Sequence, residues 1–231
     1  SIGVSVEQAL MKAVRGAEIS LDTLNAPAID GRSVKDRLAD CDDRRIFTVF
    51  EAIKTGVSID EIYSITKIDR FFLYKLQNLA LYESALMEKG LDKESYMKGK
   101  RYGYTDAAIK RLSSADITPS FKLSYKMVDT CAARYAATAP YFYSTADAVC
   151  EATSFKRSGR PVVMVLGSGP IRIGQGIEFD YSSVHCVWTL RKLGYDVVIV
   201  NNNPETVSTD YDTADRLYFE PLTPEDVMGI I

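Results

Sequence analysis

A single histidine and four scattered cysteines leave this 231-residue chain poor in metal-binding and thiol chemistry. Cys41, Cys131, Cys150 and Cys186 contain no C-x-x-C pair and His185 stands alone, which excludes a zinc site of ordinary ligand spacing. Cys131 has no base near it in sequence, so a small buried thiol is the expectation there rather than a nucleophile. No secretory leader is visible and a chain of this length needs no covalent staples, so reduced thiols in a cytoplasmic protein are expected. No apolar run approaches the about 20 residues that span a bilayer. A basic excess is also missing: 28 Lys and Arg stand against 31 Asp and Glu, a net charge of −3. That balance implies no polyanion-binding face, and nucleic acid is not an expected partner.

What is present is ordinary globular material, 46% apolar and 26% charged, enough for one or two domains. The first two-thirds has helical periodicity. Ser5-Val6-Glu7-Gln8 has capping-box form, and Val6, Ala9, Leu10, Ala13 and Val14 follow at helical spacing. Asp42 is a candidate cap for a helix to residue 55, stopped by Gly56, and Ser58 opens a short helix. Asp69 begins the longest helix, with Phe72, Leu76, Leu79 and Leu86 along one stripe and Gly90 at its end. Two shorter helices are expected near 92–100 and 105–114. Nothing from 20 to 155 alternates with period two, which gives an all-helical domain over 1–155. Phe71-Phe72-Leu73-Tyr74 is apolar around more than one helix face, so that helix is wholly buried or docks a partner chain. Lys98, Lys100, Arg101, Lys110 and Arg111 with Tyr96, Tyr102 and Tyr104 could be a nucleic-acid surface. A solvated face over tucked aromatic bodies suits the acidic whole better.

From Thr118 to Ala152 the chain is rich in Tyr, Ala and Thr, the texture of a packed crossing segment, and "KRSGR" (156–160) reads as the domain boundary. "PVVMVL" (161–166) is a continuous apolar run, as expected of a strand buried on both faces of a parallel sheet. Asp180 can cap a helix stopped by Gly194, "YDVVIV" (195–200) is a second strand, "RLYFEP" (216–221) a third, and Thr223-Pro224 opens another helix. The glycine-rich loop thus lies at a strand's carboxyl end, where open α/β sheets place ligands.

That loop fails two familiar tests. Gly167-Ser168-Gly169-Pro170-Ile171-Arg172 lacks the sixth-position glycine of a dinucleotide fingerprint, and Asn201-Asn202-Asn203 replaces the acid that would hold a ribose. No Gly-Lys-Ser/Thr follows for a nucleotide's phosphates and magnesium. Two readings stay open. Gly167, Gly169, Gly174 and Gly176 with the cation of Arg172 suit a small anion or the wall of a passage, or the glycines serve turn geometry alone.

"GSGPIRIGQGIEFDYSSVH" and "NNNPETVSTDYDTADRLYFEPLTPEDV" closely resemble the large subunit of carbamoyl-phosphate synthetase at the start of its second synthetic half. "VDTCAARYAATAPYFYST" resembles the segment leading into that half, and "ITKIDRFFLYKLQNL" resembles the family's central helical domain. The resemblance implies an α + α/β chain: a helical oligomerisation domain over 1–155, its residues 1–18 the tail of a preceding ATP-grasp domain, then a truncated parallel-sheet, Rossmann-like pre-ATP-grasp domain over 156–231. The family makes carbamoyl phosphate from bicarbonate, glutamine-derived ammonia and two ATP, in arginine or pyrimidine biosynthesis. It passes unstable carbamate through an internal tunnel. By resemblance, Glu178 of "GIEFD" and Glu205 of "NPET" lie where that tunnel has polar lining, near Gly174 and Gly176, with Arg172 beside them. ATP and Mg or Mn belong to the parent's ATP-grasp domains, and no cofactor is expected in this piece, which is expected to be inactive alone. The implied partners are those domains, a small glutaminase subunit and further copies of the chain. Two alternatives are a stand-alone helical interaction module with an idle α/β appendage, and a nucleotide-binding relative of biotin carboxylase.

Overall fold

The computed structural model describes residues 1–28, 30–116, 121–154 and 158–231. It divides into two compact units, Ser5–Val14 with Ile19–Pro119, and Ser120–Ile231 with Ser1–Val4 and Arg15–Glu18.

The first unit is helical: most of α1 (Val6–Gly16), then α2 (Val34–Leu38), α3 (Arg45–Lys54), α4 (Ile59–Thr66), α5 (Arg70–Lys89), α6 (Lys93–Arg101) and α7 (Asp106–Ser113). The caps do what their chemistry allows. Ser58 accepts Glu61 N–H at the start of α4, Asp69 accepts Phe71 N–H at 2.8 Å, and Asp92 with Ser95 closes a reciprocal capping box on α6. Asp42 is not the cap of α3. It accepts Arg44 N–H just ahead of the helix, and Arg44 occupies the cap position without a side-chain bond.

The core stripe of α5 is Leu73, Leu76, Leu79, Ala80, Tyr82, Glu83 and Leu86, packed by α3, α4, α6 and α7. Phe72, expected on that stripe, is instead half exposed, as are Phe71 and Tyr74. The 100° advance per residue does keep Phe72 in line with Leu76 and Leu79. Phe72 stands in the first turn of α5 and departs from the stripe there, although Leu73 beside it is fully buried. Each buried leucine here contributes about 1.5–3 kcal/mol relative to leaving it in water. At the hub, Glu83 is fully buried: its Oε1 accepts Tyr104 O–H at 2.9 Å, and its Oε2 accepts Lys54 and Asn25, each at 2.9 Å. Burial, with Glu83 beside it, pushes the Tyr104 hydroxyl well above the usual phenol range.

The second unit is a five-stranded sheet in the order β1-β2-β5-β4-β3. Its strands are β1 (Ser124–Met127), β2 (Tyr141–Thr145), β3 (Val162–Leu166), β4 (Asp196–Val200) and β5 (Arg216–Tyr218), and it also carries α8 (Glu178–Lys192) and α9 (Pro224–Met228). β1 runs antiparallel to β2 and all other pairs are parallel. Two expectations are corrected. The all-helical reading to residue 155 fails at β1 and β2, which extend this sheet beyond three strands. "PVVMVL" is not the fully buried strand expected: no residue of β3 is fully buried, Val162 and Leu166 are half exposed at its ends, and among the described residues β3 is an edge strand paired with β4 alone. Of the expected boundary "KRSGR", Lys156 and Arg157 lie outside the described residues.

One face of the sheet packs Val197, Ile199 and Leu217 against Val187 and Leu190 of α8. The other gathers Tyr125, Phe142, Val200 and Tyr218, with Val227 and Ile230 from the region of α9. Arg15 is tied into this unit by a buried bidentate pair with Asp226, Nε to Oδ2 and Nη2 to Oδ1 both at 2.9 Å.

Candidate functional site

The carboxyl ends of β3 and β4 lie side by side, Gly167 N–H donating to Val200 C=O at 2.8 Å, and the glycine-rich loop leaves from there to α8. A methyl group on Gly167 would stand 2.5 Å from Asn201 Cγ, so glycine is what lets the Asn201 side chain cross under the loop. Gly174 turns with φ +89°, a conformation that side chains resist, in open space.

Arg172 is not a waiting cation. Its Nη2 lies 2.7 Å from Glu18 Oε2, and its backbone N–H donates to Gln175 Oε1 at 3.1 Å. Glu178 folds its carboxylate against Gly176, and Glu205 is exposed on the turn after β4, with its N–H donating to Asn203 Oδ1 at 3.0 Å. A cavity of about 280 Å³ is lined by Ile171 and Ile177 from the loop and by Pro204, Glu205, Thr206 and Asp210 from the turn. Of the residues expected at a tunnel wall, Glu205 thus meets a cavity. Arg172, Gly174 and Gly176 lie in the loop and Glu178 at the start of α8, and none of them is among its lining.

The sequence missed the polar network below. Asp180 is not a helix cap: α8 starts at Glu178, and Asp180, in its first turn, is 1% exposed. Its carboxylate accepts Ser208 N–H at 2.8 Å and the Ser208 hydroxyl. Asn201, fully buried, donates Nδ2–H to Ser208 Oγ at 3.3 Å, and Asn202 donates to Gly16 C=O at 2.5 Å. The one available signal was the run of three asparagines at a strand end, which speaks of strand-end polar chemistry without saying which way each side chain turns.

Elsewhere the chemistry is structural. Cys131 is partly exposed rather than buried, with its N–H on Asp129, and all four cysteines are free. His185 lies edge-on between Tyr181 and Trp188, at 4.4 and 5.3 Å between centroids. In the basic group, Lys100 is buried against Asp106, Arg111 pairs with Asp22 and Lys110 with Asp116, while Tyr96 and Tyr104 are buried beneath. Among the described residues no group of three or more His, Cys, Asp or Glu could hold a metal ion, and no helix is long and apolar enough to cross a membrane. With the loop's cation held by Glu18 and no lysine behind the glycines, these residues do not fit a nucleotide's phosphates and metal.

Two family models match the chain, in this order. One, described as the carbamoyl-phosphate synthetase large chain, oligomerisation domain, covers residues 1–124. The other, described as the carbamoyl phosphate synthase preATP-grasp domain, covers residues 159–231.

Proposed function

This chain belongs to the carbamoyl-phosphate synthetase large-chain family, and from that premise we propose that it serves as assembly scaffold and passage wall for a glutamine-dependent ligase. The observation that carries the reading is the order of the two matched portions, oligomerisation then preATP-grasp. The parent is an ATP-dependent ligase forming carbon–nitrogen bonds. Phosphate transfer, with ATP and Mg or Mn, falls to ATP-grasp portions that neither match describes, so the 231 residues are inactive by themselves.

The helical unit brings copies of the large chain together in the cytoplasm, and a glutaminase subunit supplies ammonia to the whole. The half-exposed Phe71, Phe72 and Tyr74 are consistent with a surface meant to be covered. In the α/β unit, Glu205 and the cavity beside it form wall for a small reactive intermediate, and Glu178, Arg172, Gly174 and Gly176 shape the loop along it. A passage of this kind wants close backbone, and Gly174, at φ +89°, lets the loop beside the cavity turn tightly.

Sedimentation equilibrium of the purified chain tests the scaffold role. A mass of at least twice 25.7 kDa is expected, and a strict monomer at high concentration would overturn it. In the complete large chain, Glu205→Lys is expected to leave bicarbonate-dependent ATP cleavage running while carbamoyl phosphate output falls. Equal loss of both would remove the passage role.

A further inference from the structure

We propose that the carboxyl ends of β3 and β4 hold a recognition point for a small molecule presenting N–H, with Asn201 Oδ1 as its acceptor. The guest's biological identity rests on the passage reading; the recognition point itself rests on hydrogen-bond polarity.

A carboxylate only accepts, so both groups of Ser208 that reach Asp180 must donate: the backbone N–H at 2.8 Å to Oδ2, and the hydroxyl to Oδ1. The hydroxyl proton being committed, Ser208 Oγ can only accept from Asn201, whose Nδ2 lies 3.3 Å away. The amide of Asn201 is thereby fixed with its nitrogen toward Ser208 and its oxygen away. That oxygen is buried in a fully buried residue and has no partner among the described residues. Ser168 Oγ, in the loop directly after Gly167, is likewise buried without a partner among them.

Buried acceptors left empty are costly, and native structures fill them. What fills this one must donate. Bicarbonate and phosphate offer mainly acceptor oxygens and would meet Asn201 Oδ1 with Asp180 behind it, so they are disfavoured. The positive end of α8 offsets part of the Asp180 charge, which removes the need for a metal cation. Ammonia, ammonium or the NH₂ of a primary amide or carbamate matches the acceptor in polarity. Water is the competing occupant.

The test uses the whole chain, ¹⁵N-labelled, following the Asn201 side-chain NH₂ and the Gly167–Gly169 amides by NMR. Ammonium chloride and formamide are the probes, with potassium chloride and tetramethylammonium chloride as controls. Saturable shifts are expected from both probes and from neither control. Ser208→Ala releases the amide to rotate, and is expected to weaken probe binding about tenfold, the loss corresponding to one hydrogen bond. Asn201→Leu is expected to abolish it. Should Asn201→Leu fail to fold, the wild-type comparison of probes with controls decides alone. Shifts equal in all four solutions, or a long-lived water at Asn201 that ammonium does not displace, would overturn the proposal. Either result leaves the passage reading intact, because the cavity beside Glu205 does not use Asn201.

Discussion

Asp226→Ala removes the acidic half of a pair whose side chains are 4% and 6% exposed. Arg15 and Asp226 meet through two bonds of 2.9 Å, and Asp226 also accepts the Thr223 hydroxyl at 2.6 Å across the start of α9. Deleting one partner leaves a guanidinium buried without its carboxylate, at about 3–5 kcal/mol. With a urea dependence of about 1–3 kcal/mol per molar, the midpoint falls by on the order of 2 M. Trp188, on α8, is the only tryptophan, so its fluorescence reports on the α/β unit. Replacing the pair together, Arg15→Met with Asp226→Leu, should recover most of the loss, because apolar replacement avoids desolvating either charge. A single-variant loss below about 1 kcal/mol would refute the reasoning, since that is the range of exposed pairs. So would a double variant no better than the single one.

Glu83→Ala strands Lys54 and Tyr104 around an empty hub. A loss of about 3–5 kcal/mol is expected in helical circular dichroism during urea unfolding, and an unchanged transition would deny the hub its role. Glu7 gives a pH signature. Burial raises its pKa, but the Asn78 hydrogen bond, its own backbone bond and Lys75 outweigh that, so the net shift is downward from 4.5. Its contribution is therefore present above the unfolded value and lost as pH falls through the lower folded one. Asn78→Ala should flatten the acid limb of a stability-against-pH curve, and an identical limb in both proteins would count against the assignment.

The helices were legible where a local rule decides them. Ser58, Asp69 and Gly90 act within one turn of the residues they cap, and the expected helices near 92–100 and 105–114 lie within a residue or two of α6 and α7. The glycine loop between a strand and α8 was likewise local. β1 and β2 were not legible: they are four and five residues long, β2 owes its place to a partner far along the chain, Tyr141 pairing with Leu217 and Phe142 with Tyr218, and β1 in turn pairs onto β2. The edge position of β3 is a property of its neighbours, which its own apolar run cannot report. At the site the same division holds. Gly167 announced a close approach, but Asp180 looked like a cap because its partner Ser208 is 28 residues on, and Arg172 looked free because Glu18 is 154 residues away. Side-chain polarity networks are decided in three dimensions, and a one-dimensional pattern carries no trace of them.

The most direct measurement is ADP release by the purified chain supplied with Mg-ATP, bicarbonate and ammonium. No release above a buffer control is expected, because neither the oligomerisation nor the preATP-grasp portion transfers phosphate. Sustained bicarbonate-dependent release that stays with the chain through successive purification steps would contradict it.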